Sequence, residues 1–100
     1  GDLSSTSRFR RIAFTKSHAR TAGTVGDFFH ILDIVTQVPG CNGDMFTRYT
    51  SCCAPGEGRY YYTTYENRRI TALTLDREGR DRSSLQRYPL LNQEDIRRQN

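Results

Sequence analysis

Gly58-Arg59-Tyr60-Tyr61-Tyr62-Thr63-Thr64-Tyr65 is followed, after Glu66-Asn67-Arg68, by Arg69-Ile70-Thr71-Ala72-Leu73-Thr74-Leu75. Both runs are β-branched and aromatic and alternate with a period of two, so they predict an antiparallel hairpin. Alternation puts Tyr60 and Tyr62 on one face and Tyr61 and Tyr65 on the other, and at least one set belongs to the core. Arginines flank the hairpin, with Arg59 at its start and Gly79-Arg80-Asp81-Arg82-Ser83 beyond its second strand. Guanidinium groups and tyrosines at one sheet end suit phosphates and stacked bases. The simpler reading of Arg59 and Arg80 is a pair of exposed charges in weak contact with Glu57, Glu78 or Asp81.

Upstream, Thr24-Val25-Gly26-Asp27 has the spacing of a capping box and precedes an apolar run, so a helix starts there and ends by Pro39-Gly40. Val25, Phe28, Phe29, Leu32 and Val35 form its apolar face; Asp27, His30, Asp33 and Gln37 take the other. Before it, Arg8-Phe9-Arg10-Arg11-Ile12-Ala13-Phe14-Thr15 alternates imperfectly and reads as a first strand that buries Phe9, Ile12 and Phe14. Lys16 to Ala22 reads as a short polar helix or turn, interrupted by Gly23. Met45 to Thr50 is a further short strand, Pro55-Gly56-Glu57-Gly58 a loop, and Gln93 to Arg98 a short helix separated by Pro89. The sum is an α+β fold: a small antiparallel sheet with an N-terminal strand, one or two helices on one face, and a C-terminal β-hairpin. Residues 1–8 read as a flexible tail and 9–100 as one domain, mobile from about 89.

One hundred residues support a single small core and exclude a second independent domain. The net charge is +4, and of fifteen basic residues only Lys16 is a lysine. Nine arginines lie from Arg59 onward. Genome bias explains such a preference as well as phosphate binding does, but the clustering favours a shared basic face. Cys41, Cys52 and Cys53 are an odd set, so one thiol stays free or bridges to another chain, and Cys41 with Cys52 or Cys53 is one admissible disulfide. Neither their spacing nor His18 and His30 makes a metal site, and no cofactor is implied. His30 sits between two aspartates as a solvated histidine, and nothing places His18 beside it as an acid–base pair. No apolar run is long enough to span a membrane. The low cysteine count leans towards a reducing, cytoplasmic compartment, with secretion as the alternative.

Taken in order, Arg10-Arg11-Ile12-Ala13-Phe14-Thr15-Lys16-Ser17, Gly43-Asp44, Gly58-Arg59-Tyr60-Tyr61-Tyr62 and Gly79-Arg80-Asp81-Arg82-Ser83 resemble the RelE/ParE superfamily of toxin–antitoxin toxins, over about residues 9–88. The resemblance implies a ribosome-dependent mRNA endonuclease without a metal, with RNA on the ribosome and an antitoxin as partners. On it, Arg59 contacts the scissile phosphate, Arg80 stabilises charge as the 2′-hydroxyl attacks, and Tyr88 is a general base or stacking residue. Arg82 supports the nucleic-acid backbone, and Arg48, Arg87 and Tyr61 join it in binding. The ParE branch implies a gyrase inhibitor instead. From a different class, the residues also admit a small secreted toxin or effector with one disulfide that binds a surface or a protein.

Overall fold

The computed structural model describes residues 2–20, 23–75 and 86–100. They fall into two compact units, Gly1–Thr47 and Arg48–Asn100.

In the first unit, α1 spans Ser5–His18 and α2 spans Val25–Asp33. The expected N-terminal strand is a correction: Arg8 to Thr15 lies inside α1, which begins within the stretch expected as a tail. Local capping explains the helix. The Ser4 hydroxyl accepts the Ser7 N–H at 3.2 Å, and Arg8 N–H donates to the Ser4 carbonyl at 3.0 Å. Arg8, Arg11, Ile12 and Thr15 are half-buried at helical spacing, a periodicity of 3.6 rather than 2. Lys16 and His18 then sit in the last turn, where positive charge favours the helix dipole.

The capping box expected for α2 is present in full. The Asp27 N–H donates to Thr24 Oγ1 at 3.1 Å, and the Thr24 N–H donates to Asp27 Oδ2 at 3.2 Å. α2 buries Phe29, whose ring meets that of Phe28 edge-on at 5.7 Å. The helix stops at Asp33, before the Pro39-Gly40 boundary. Gln37, itself buried, exchanges two bonds with Thr47: its N–H donates to Thr47 Oγ1 and its carbonyl accepts the Thr47 N–H, both at 3.0 Å. That exchange closes a loop containing β1, Cys41–Asp44, which holds only isolated bridges.

The second unit is a three-stranded antiparallel sheet of order β2–β3–β4, with β2 Tyr49–Ala54, β3 Arg59–Thr64 and β4 Thr71–Thr74. The hairpin read from the sequence is β3–β4, paired Tyr60 to Leu73 and Tyr62 to Thr71. Its turn is fixed by Asn67, which is buried: Asn67 N–H donates to Thr64 Oγ1, and Asn67 Oδ1 accepts the Arg69 N–H, both at 3.0 Å. β2 starts later than expected and runs through Cys52 and Cys53, because its register with β3 extends to Ala54 opposite Arg59. Between them Pro55–Glu57 forms one 3-10 turn that Gly58 ends at φ +64°, and the Gly58 carbonyl accepts the Leu75 N–H at 2.6 Å.

The expected helix at Gln93 to Arg98 is the second correction: residues 86–100 contain no helix. The segment is tied to the sheet instead. Leu91 N–H donates to the Tyr62 hydroxyl at 3.0 Å, Thr64 Oγ1 donates to the Leu91 carbonyl at 3.1 Å, and Arg69 pairs with Asp95 at 3.1 Å. Among the described residues no helix is long and apolar enough to cross a membrane.

Candidate functional site

In the first unit, α1 places Arg8 and Arg11 one turn apart on its half-buried face. Arg8 Nη2 donates to the Val35 carbonyl at 3.1 Å, just past α2, which fixes the guanidinium plane. The Nε atoms of Arg8 and Arg11 are both buried and have no hydrogen-bond partner among the described residues. An unsatisfied charged donor is costly to bury, on the order of 1–3 kcal/mol or more, so such a group signals an acceptor that completes it. A guanidinium held by one Nη with its Nε free is suited to an anionic or carbonyl oxygen. Sequence reasoning missed this pair, because a strand reading separates residues 8 and 11 onto opposite faces. The legible signal was Ser4, a cap residue three positions before Ser7, which would have turned the period from 2 to 3.6.

In the second unit, Tyr49, Tyr60, Tyr62, Leu73, Tyr88 and Leu90 line a cavity of about 280 Å3 on one sheet face. The Tyr60 and Tyr62 rings lie 6.4 Å apart, as alternation required. Tyr61 points to the other face and is buried, with its hydroxyl donating to Glu57 Oε2 at 2.9 Å. It is therefore not an exposed stacking platform. Arg59, exposed on the Tyr61 side, is held above its ordinary pKa first by hydrogen bonding to the Tyr61 side chain, with Glu57 adding negative potential. Arg59 and Tyr88 thus serve opposite faces of the sheet. Arg48 and Arg87 are exposed, and Arg80 and Arg82 lie outside the described residues. Cys41, Cys52 and Cys53 are free thiols. Among the described residues no His, Cys, Asp or Glu cluster is gathered to hold a metal.

The chain thus comprises one unit with a helical pair that carries the two arginines and another built on an antiparallel sheet. The chain belongs to the linear amide C–N hydrolases of the choloylglycine hydrolase family, whose model matches residues 1–88. It is 44% identical over 99 residues to the bile salt hydrolase/transferase of Lactiplantibacillus plantarum, covering 90% of this chain and 31% of that protein. The bile salt hydrolase/transferase of Clostridium perfringens is 35% identical over 97 residues, covering 88% and 30%. A mutant conjugated bile acid hydrolase from Clostridium perfringens superposes on all of this chain and 33% of its own, with 33% identity and a TM-score of 0.87. The chain spans about a third of the length of the curated relatives it matches.

These findings overturn the RelE/ParE resemblance and with it the mRNA endonuclease, the gyrase inhibitor, the secreted effector, and the RNA and antitoxin partners. The term hydrolase agrees with the family, which is described by amide C–N bonds and not by phosphodiesters. The opening match failed for a physical reason. Its Arg10 to Ser17 segment was aligned as a strand entering a helix, and it is wholly helical. With the resemblance gone, the RNA roles drawn from it for Arg59, Arg80 and Tyr88 lose their support.

Proposed function

We propose that this chain supplies about one third of an enzyme that cleaves the amide C–N bond of a conjugated bile acid. The observation that carries the reading is its 44% identity over 99 residues to a bile salt hydrolase/transferase. Amide cleavage needs a nucleophile, a route for its proton, and positive charge opposite the oxygen that becomes anionic. Arg8 is equipped for the last of these, being held by Val35 with its buried Nε unpaired among the described residues. The nucleophile is to be sought in the two thirds of the relatives' length that this chain does not span. A cytoplasmic location agrees with three unpaired thiols.

The test is to graft this chain in place of the matching segment of the Lactiplantibacillus plantarum relative and to measure the amine released from a conjugated bile acid. The graft is expected to hydrolyse it, whereas a folded graft with no hydrolysis overturns the reading. Within an active graft, Arg8→Gln should lower kcat/KM by about 100-fold or more, as loss of a charge-stabilising donor does. Arg10→Gln, on the exposed side of α1, should change it by less than about 2-fold.

A further inference from the structure

Arg11 lies one helical turn beyond Arg8 on the same half-buried side of α1, and its buried Nε has no hydrogen-bond partner among the described residues. A charged donor is costly to bury unpaired, so its position points to an oxygen acceptor that arrives with a ligand or with other polypeptide. The chemistry of the substrate separates the two. In a bile salt hydrolysed at an amide C–N bond, the acid's own carboxyl is already spent in the amide, so the charge that makes the conjugate a salt lies on its amine half. An acid group one carbon past the amide nitrogen follows the carbonyl by one peptide-like unit, roughly 3.8 Å. Residues three apart on a helix have Cβ atoms about 5–6 Å apart. With Arg8 opposite the reacting oxygen, an anion on the amine half falls within reach of the guanidinium one turn on.

We propose that Arg11 is a specificity residue for the amine half of the substrate, its Nε and one Nη donating side by side to the anionic group which that half carries. The assignment rests on the hydrolase reading and adds to it. Arg8 answers a charge that develops during the reaction, whereas Arg11 answers a charge present throughout. An interaction that is equal in the ground state and the transition state acts through binding, so loss of Arg11 appears in KM more than in kcat.

The experiment uses the graft of this chain into the 44%-identical relative and two probes, the glycine amide of a bile acid with its free carboxylate and the methyl ester of the same amide. The ratio of kcat/KM for the acid to that for the ester is measured. Arg11→Gln should lower this ratio by about 10-fold or more, through KM for the acid, as loss of a hydrogen bond to a charged group does. Arg10→Gln, on the exposed side of α1, should leave it within about 2-fold. Arg11→Lys keeps the charge but loses the fork, and should lower the ratio by less. Where the glutamine variant does not fold, the lysine variant decides, and a KM rise confined to the acid upholds the proposal. Acid and ester slowed alike, with the ratio unchanged, make the acceptor a group of the enzyme's own remaining polypeptide and overturn it. So does an unsubstituted graft that hydrolyses acid and ester equally well. A folded graft inactive on both probes fails instead at the hydrolase reading, and the role of Arg11 falls with it.

Discussion

Gly58 shows how much one residue controls in this chain. It ends the turn between β2 and β3 in the left-handed region, and its carbonyl receives the Leu75 N–H that closes β4 against it. A Cβ at this position would lie 3.2 Å from the Leu75 carbonyl oxygen. Gly58→Ala therefore incurs the left-handed cost of about 1–2 kcal/mol and strains the Leu75 contact besides. Urea unfolding should show the midpoint falling with an unchanged slope, and an unaltered midpoint would contradict the account. Arg8 is the counterpart among functional residues. Its identity is plain in the sequence, but its value lies in a bond to Val35, 27 residues away, and in a buried Nε with no acceptor among the described residues. Neither property follows from the residues around it.

At the scale of elements, the two helices were unequally legible. α2 announces itself through Thr24 and Asp27, whose reciprocal bonds are local and need no tertiary partner. Thr24→Ala should destabilise the chain by about 1 kcal/mol, and loss of protection from amide exchange at Asp27 and Phe28 would locate the effect at the cap. α1 is started by Ser4 and by Asp2, whose carboxylate is held well below the usual range, first by the Ser4 hydroxyl, then by the Ser7 hydroxyl and the Ser4 N–H. The sign follows from a folded pKa lower than the unfolded one. The contribution is complete above the ordinary carboxylate value of about 4 and is lost as pH falls through the lower folded value. The carboxyl carbon shift of Asp2 should accordingly remain that of the ionised form at about pH 3, and an ordinary titration midpoint would remove Asp2 from the cap. The β3–β4 hairpin was legible because alternation and the Glu66-Asn67-Arg68 turn agree. β2 was not, since Cys52 and Cys53 carry weak strand preference and are recruited by pairing with Tyr61 and Tyr60.

Across the whole molecule, each unit has a thin core. Among the described residues the buried hydrophobic ones are Phe29 in the first unit and Tyr61 and Tyr62 in the second, while Phe9, Phe14, Phe28, Ile34, Val38 and Met45 of the first unit remain exposed. With so little apolar surface removed from water, the chain alone should be only marginally stable, below about 5 kcal/mol. It should bind a hydrophobic dye such as ANS, with the signal falling in the graft. A chain alone that binds no dye and unfolds as sharply as the intact relative would show that its exposed residues are satisfied as they stand.

What the sequence by itself determined is local: the Thr24 cap, the alternating hairpin with its sorted tyrosines, and an arginine-dominated basic charge. These depend on interactions within a few residues, which composition and spacing report directly. Tertiary structure decided the rest: that Arg8 to Thr15 is helix, that Arg8 and Arg11 share an incompletely bonded face, and that the chain's last residues strap the sheet without forming a helix. Each of these depends on contacts between distant residues, such as Arg8 with Val35 or Leu91 with Tyr62, whose energy no short window of sequence contains.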